Sequence, residues 1–334
     1  VVLASVVAVA AAAEGPSLFR RSGGSAAIGG TPTGGSPRII PVQAPRIEIA
    51  ETPAVDLAPT VPAAPISATP APIVPPPVPP APPVLAAAPS VPRWQRLAVP
   101  APPSHGRPTI TIVVDDMGVM HPNTRIATEL PGPLTLAWFP FADRLAEQID
   151  VAMRRGHETV LHMPMQAFTN SIAQTGPDPL RIDLPPAENI ARLQTAIAAI
   201  PTACGLNNHM GSVATRNVPL MELMAAIARE HEMLFLDSLT INHSVALQQA
   251  RLAQVPAIAR DVFLDDSPNR AAIRAQLALT EKVALRDGRA VAIGHPRKAT
   301  LEALQEWLPT VAAKGFVLTP LSATVAAENN IAFS

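Results

Sequence analysis

From Thr109 onward the chain alternates short, continuous apolar runs with longer stretches whose apolar residues recur every three or four positions. The short runs predict strands at Thr109–Val114, Leu134–Phe139, Glu158–Met163, Ala203–Asn207, Met233–Leu236, Ala257–Leu264, Ala290–Ile293 and Phe316–Thr319. The longer stretches predict helices at Asp143–Arg155, Ala187–Ile200, Pro219–Glu232, Ser244–Ala253, Asn269–Arg286 and Thr300–Lys314. Ile190, Leu193, Ile197 and Ile200 illustrate the spacing, which gathers them on one helix face. Gly156, Gly288 and Gly315 fall where helix C-terminal stops are expected. Strands apolar throughout and separated by helices indicate a parallel sheet covered on its outside, hence an α/β fold. Seven or eight such units predict a closed or nearly closed barrel, with an open doubly wound sheet as the alternative.

Before Thr109 neither period persists. Of the 40 prolines, 24 lie in residues 1–108, a density incompatible with helix or central strand. The expected organisation is therefore a leader at 1–13, a disordered Pro/Ala-rich linker at 14–107, a domain at 108–325 and a tail at 326–334. Residues 1–13 are all apolar or small and too few to span a bilayer. They read as the apolar part of a signal peptide or the remnant of a membrane anchor. Ala71–Pro83, APIVPPPVPPAPP, predicts extended polyproline II, a spacer that would hold the domain away from a membrane.

Composition narrows the chemistry. With 25 basic against 26 acidic residues the chain lacks the basic excess of a nucleic-acid binder. The single cysteine, Cys204, excludes a disulfide framework and a cysteine-based zinc finger. Tyr is absent and aromatics are few, which argues against an aromatic sugar-binding platform. No phosphate loop, dinucleotide fingerprint or Gly-x-Ser-x-Gly elbow is present.

Polar residues collect where the apolar runs end. The first strand runs into Asp115-Asp116, the third into His162, the fourth into Asn208-His209, the fifth into Asp237-Ser238, and the run at 290–293 into His295. In a parallel barrel those ends form one mouth, where groups from different strands converge. Two histidines and a carboxylate with an open position make a divalent-metal site, and imidazole with carboxylate suits Zn²⁺. Adjacent Asp115 and Asp116 point opposite ways in a strict strand, but a turning strand end lets one ligate while the other takes a proton. The set describes amide or ester hydrolysis. His157, after Gly156, reads as a surface or capping residue.

The ordered segments IVVDDMG (112–118), PFA (140–142), RGHETVLHMPM (155–165), GLNNHMGS (205–212), FLDS (235–238), RDVFLDD (260–266) and AIGHP (292–296) resemble the divergent polysaccharide deacetylase family, a remote branch of the NodB-homology carbohydrate esterases. The resemblance covers Pro108 to Ala323. It implies a distorted (β/α) barrel of seven strands in a bacterial envelope protein. It implies Asp115 as the base, Asp116 and His162 as metal ligands, and His295 as the acid. Asp237 is expected to orient a partner or line the site, and Arg260 and Asp261 to support it from behind or to form a structural salt bridge. Typical deacetylases carry a second ligand His four residues after the first; here that position is Gln166, a poorer ligand. His209, in the Asn-Asn-His-Met-Gly segment, is the expected substitute.

The function so implied is a metal-dependent hydrolase that removes N- or O-acetyl groups from a polysaccharide or peptidoglycan-like glycan, in the periplasm or cell envelope, with inner-membrane association through the N-terminus. The alternative is a non-catalytic envelope protein that keeps the fold and a glycan-binding cleft. Metal retention by the domain discriminates the two.

Overall fold

Alternation along each strand is what builds this molecule. In the computed structural model, which describes residues 91–169 and 171–333, all ladders are parallel. The strands are β1 (Thr109–Met117), β2 (Thr135–Trp138), β3 (Glu158–Met165), β4 (Gly205–Met210), β5 (Leu234–Asp237), β6 (Ala257–Ala259), β7 (Val262–Phe263), β8 (Arg289–Gly294) and β9 (Val317–Leu318). Hydrogen bonding orders them β6-β5-β4-β3-β2-β1-β8-β7, with β9 paired to the start of β1. The expected single strand at 257–264 is split: β6 follows β5, then Arg260 N donates to Asp237 O (3.0 Å) and Asp261 N to Val291 O (2.9 Å), and β7 follows β8. The sheet thus curls into a distorted barrel whose gap is bridged by two residues of chain. It holds nine strands, eight in the main order, rather than the seven expected. The stave that crosses from β5 to β8 breaks in two, and β9 is added at the base.

Alternate residues of each strand face opposite ways. One set, including Val113, Ala137, Val160, Leu234, Leu236, Ile258, Val291 and Ile293, packs together as the barrel interior. The other, including Ile112, Val114, Leu136, Leu161 and Phe235, packs under the helices. The six expected helices are α3 (Leu145–Arg154), α5 (Pro186–Ala199), α6 (Val218–Glu230), α7 (Ala246–Leu252), α8 (Arg270–Asp287) and α9 (Lys298–Trp307). Asn217 and Asn269 cap α6 and α8 by accepting from Leu220 N (2.9 Å) and Ala271 N (2.8 Å). Gly288, at φ +78°, ends α8 in the left-handed region. Helix α9 stops short of the expected Lys314 and passes into a 3₁₀ turn at Leu308–Thr310, because Pro309 lacks the N–H to continue the ladder. Four short helices were not anticipated: α1 (Arg93–Arg96), α2 (His121–Thr128), α4 (Ile172–Thr175) and α10 (Leu321–Glu328).

Two of these helices correct the expected boundaries. The barrel's apolar interior would meet water at its base. Trp94 of α1 and Leu321, Val325 and Ala326 of α10 cover it instead. Phe333 meets Trp94 edge-on, with centroids 5.6 Å apart. Trp94 N donates to Glu232 O (3.0 Å) and Val99 N to Glu158 Oε1 (3.4 Å). The same buried Glu158 carboxyl accepts from Ser322 N, Ser322 Oγ and Thr135 Oγ1. Residues 91–99 and 326–333 are therefore parts of the barrel unit, not linker and tail. His157 is corrected too. It is fully buried, its Nδ1 accepting from Leu134 N (3.3 Å) and its Nε2 facing Thr128 O (3.2 Å). The expected leader at 1–13 and the linker from 14 to 90 lie outside the described residues. Among the described residues no helix is long and apolar enough to cross a membrane.

Candidate metal centre

On six strands the inward face is apolar below and polar above, and the change comes at a fixed phase. Two residues beyond Val113 is Asp115, beyond Val160 is His162, beyond Leu236 is Ser238, beyond Phe263 is Asp265 and beyond Ile293 is His295. Asn207 and His209 follow the same phase on β4. Asp116 is out of phase and reaches the centre by another device. Between Val114, paired with Leu136, and Met117, paired with Trp138, β1 has one residue more than β2. This bulge puts Asp116 at φ +56° and turns its carboxylate to the same side as Asp115.

Asp116 Oδ1 lies 3.2 Å from His162 Nε2 and 3.0 Å from His209 Nδ1, and those two nitrogens are 3.1 Å apart. The three atoms form a nearly equilateral triangle. Tetrahedral coordination at about 2.0–2.1 Å separates ligand atoms by roughly 3.3 Å, so the triangle has the size that would hold a small divalent cation. The hydrogen positions point the same way. Asn207 Nδ2 donates to Asp115 Oδ1 (2.8 Å), which leaves Asn207 Oδ1 to accept from His162 Nδ1 (2.8 Å). The carbonyl of Gln174 accepts from His209 Nε2 (2.8 Å). In its neutral form each imidazole spends its proton away from the triangle and presents a bare lone pair to it. Asp116 Oδ1 is buried and receives no aligned hydrogen bond. Three mutually facing acceptors repel unless a cation sits among them, and outer partners of this kind are the usual support of metal-ligating histidines. The residues present fit a divalent metal.

The surrounding charges are ordered around that triangle. Burial pushes the Asp115 carboxyl up, and nearby His162 and His295 only partly offset it. Burial also opposes ionisation of Asp116, but His209, His162 and His295 outweigh it and hold its carboxyl well below the usual range. Burial disfavours charge on His295 as well. Its Nδ1 hydrogen bond to Asp265 Oδ1 (2.9 Å), with Asp116 and Asp115 behind, reverses this and raises its pKa to about 9. His295 Nε2 points inward, 3.9 Å from Asp116 Oδ2. Asp265 also accepts from His295 N (2.9 Å) and Thr300 Oγ1 (2.7 Å), which fixes the pair. Phe139 walls one side, its ring centroid 5.2 Å from His162 and 4.7 Å from His209.

Of the six expected site residues, five converge: Asp115, Asp116, His162, His209 and His295. Asp237 does not. One position out of phase, its buried carboxylate accepts from Leu239 N (3.0 Å), Ser244 Oγ (2.7 Å) and Leu247 N (3.3 Å), and so fixes the loop into α7. Its in-phase neighbour Ser238 meets Asn207 instead (3.1 Å). Gln166 also stands apart, its Oε1 accepting from Ile182 N (2.8 Å). Arg260 donates to Ser238 O and Leu239 O and sits over the Phe263 ring, while Asp261 pairs with Arg289 (2.7 Å). Sequence reasoning missed Asn207 and Asp265, although both keep the two-residue phase that carries the ligands.

Escherichia coli K12 YibQ, an uncharacterized protein, is 34% identical over 210 residues, which are 63% of this chain and 65% of that protein. The chain thus matches somewhat under two thirds of that relative. An uncharacterized Haemophilus influenzae protein is 33% identical over 205 residues, 61% of this chain and 72% of its own length. The crystal structure of the uncharacterized protein ATU2773 from Agrobacterium tumefaciens C58 superposes with a TM-score of 0.67 at 26% identity, covering 70% of this chain and 94% of that one. Residues 112–325, from the bulged strand to the helix that plugs the base, match the family described as divergent polysaccharide deacetylase, and the chain belongs to it.

Proposed function

We propose that the protein is a metal-dependent hydrolase that removes acetyl groups from an acetylated polysaccharide or peptidoglycan-like glycan. The observation that carries this reading is the triangle of Asp116 Oδ1, His162 Nε2 and His209 Nδ1, with both imidazole protons committed elsewhere. Asp116, His162 and His209 would hold Zn²⁺ or a comparable ion, which when bound would supply Lewis acidity for activating water and polarising the acyl carbonyl.

Asp115 takes the proton of the attacking water. Its Oδ1 is fixed by Asn207, its Oδ2 lies 3.9 Å from His162 Nε2, and burial raises its proton affinity toward what a general base needs. His295 gives a proton to the departing sugar nitrogen or oxygen. Its pKa of about 9 keeps Nε2 protonated at neutral pH, and Asp265 aims the ring. The buried His162 ring turns its second nitrogen to Asn207, so one side chain steadies both a ligand and the base. The apolar, small-residue composition of residues 1–13 and the Pro-rich run after them support an envelope location, with the barrel displayed on a spacer.

The test is metal content and acetate release measured on the same preparation. Purified protein should hold one divalent ion per chain and release acetate from N- or O-acetylated glycan. His162→Ala should lose both. A chelated protein that stays fully active would overturn the reading. Fractionation of cells expressing the full chain tests the location, and a cytosolic protein would contradict it.

A further inference from the structure

The mouth of the barrel is divided by polarity. Five large apolar side chains lie exposed on the loops that follow β1, β2 and β3: Val119, Met120, Phe141, Phe168 and Ile182, with Phe168 68% exposed. The loops that follow β5 and β7 expose polar residues such as Asn242, His243, Asp266 and Asn269, and no large apolar side chain among the described residues is exposed there or after β8. Such one-sided exposure of apolar groups marks a binding surface.

The apolar sector starts at the metal triangle. Phe139 touches both ligand imidazoles, and Phe141 stacks on Phe139 with centroids 4.8 Å apart. Phe141 in turn packs on Gly176, where an added Cβ would come within 2.7 Å of the ring. Gly176 belongs to the excursion at 166–182 that also carries Phe168 and Ile182 and whose Gln174 carbonyl orients His209. On the other side Gly118, next to Val119 and Met120, packs so closely on Ala142 that an added Cβ would lie 2.5 Å from Ala142 Cβ. An apolar path therefore runs from the reacting position outward over Phe139 and Phe141 to the rim.

We propose that the acyl group removed is longer than acetyl, a hydrocarbon chain carried on a sugar nitrogen or oxygen, with the chain lying along the Phe141–Phe168 sector and the sugar facing the polar sector. The inference rests on the hydrolase reading above and extends its substrate class. A chain continuing from the carbonyl carbon past Phe139 would meet this path, and hydrocarbon gains from covering it. Water adds to the carbonyl carbon, the bond from that carbon to the sugar heteroatom breaks, the sugar keeps the proton delivered by His295, and the chain leaves as a carboxylate.

The test is hydrolysis of 4-methylumbelliferyl acetate, butyrate and octanoate by the zinc-loaded full chain. kcat/KM should rise by about tenfold or more from acetate to octanoate. Phe168→Ser and Phe141→Ser, both exposed positions, should flatten the series mainly through the octanoate KM. Leu285→Ser, an exposed apolar position on α8 away from the mouth, should leave it unchanged. Octanoate should inhibit the wild type more strongly than acetate, and the two Phe variants less so. Equal or falling kcat/KM along the series, with zinc-dependent hydrolysis of the acetate intact, overturns this inference alone. Failure to hydrolyse any ester despite bound zinc counts against the hydrolase reading itself.

Discussion

Asn207 is the residue whose replacement says most about the centre. It is fully buried, and its amide joins His162 Nδ1 (2.8 Å), Asp115 Oδ1 (2.8 Å) and Ser238 Oγ (3.1 Å). Asn207→Ala strands the His162 N–H and one Asp115 oxygen in a site that water barely reaches. Loss of such an outer partner typically costs about 10–100-fold in metal affinity, or roughly 1.4–2.8 kcal/mol. Asn207→Asp separates the two roles. Toward His162 it supplies a carboxylate, a stronger acceptor that raises imidazole basicity, so metal affinity should stay within a few-fold of wild type or tighten. Toward Asp115 it replaces an N–H donor with a second carboxylate oxygen at the same place. That disfavours the charged form of a base already pushed up by burial. The acid limb of kcat/KM should therefore move to higher pH and the rate at neutral pH should fall. Competition with a chromophoric chelator measures the affinity, and a pH–rate profile measures the base. If Asn207→Ala binds zinc within threefold of wild type, or if both variants lose metal alike, the shared role given to this amide is wrong.

Asp265→Asn should lower the His295 pKa from about 9 toward 6.5, and the alkaline limb of the pH–rate profile should follow it down. A histidine raised in this way stabilises the fold fully below pH 6.5 and loses that contribution as pH rises through about 9. Urea unfolding of chelated protein should therefore weaken between those pH values in the wild type, and less so in the variant. Gly205→Ala should destabilise by about 2–3 kcal/mol, since the new Cβ would meet the Leu234 carbonyl oxygen at 2.7 Å and its side chain closer still. For a unit of this size thermal unfolding should drop by roughly 4–12 °C. Trp94→Ala should cost about 3–5 kcal/mol by unplugging the barrel base, read by the same melt. A variant that melts like wild type would return residues 91–99 to the status of linker.

The strand–helix alternation was legible because continuous apolar runs and three-to-four spacing are local properties. Five of the six candidate residues come together in the structure, and they were legible because polar residues end the apolar runs of β1, β3, β4 and β8. What failed was phase. Asp237 and Ser238 both end the same apolar run, and chemistry alone favours the aspartate. Only the knowledge that Leu236 faces inward shows that Ser238 follows it and Asp237 does not. Asp116 fails the same rule and yet belongs, because a bulge is a property of the pairing between β1 and β2 and leaves no mark in either strand alone. Composition misled at the ends for a related reason. Proline density around residues 89–108 hides one tryptophan whose partners lie more than a hundred residues away.

Gln166 and His209 belong to one arrangement. His209 pairs in register with Pro164, so it stands on the neighbouring strand at the height where β3 runs out. Gln166, just beyond, is turned away from the triangle. Its backbone instead bonds Leu180 and receives Val213 N and Ala214 N, while its side chain takes Ile182 N. Those bonds tether both ends of the 166–182 excursion beside β4. Held there, the excursion delivers the Gln174 carbonyl to His209 Nε2 and leaves Nδ1 bare toward Asp116. The residue just past the end of β3 thus builds the loop whose Gln174 carbonyl orients His209 on the neighbouring strand.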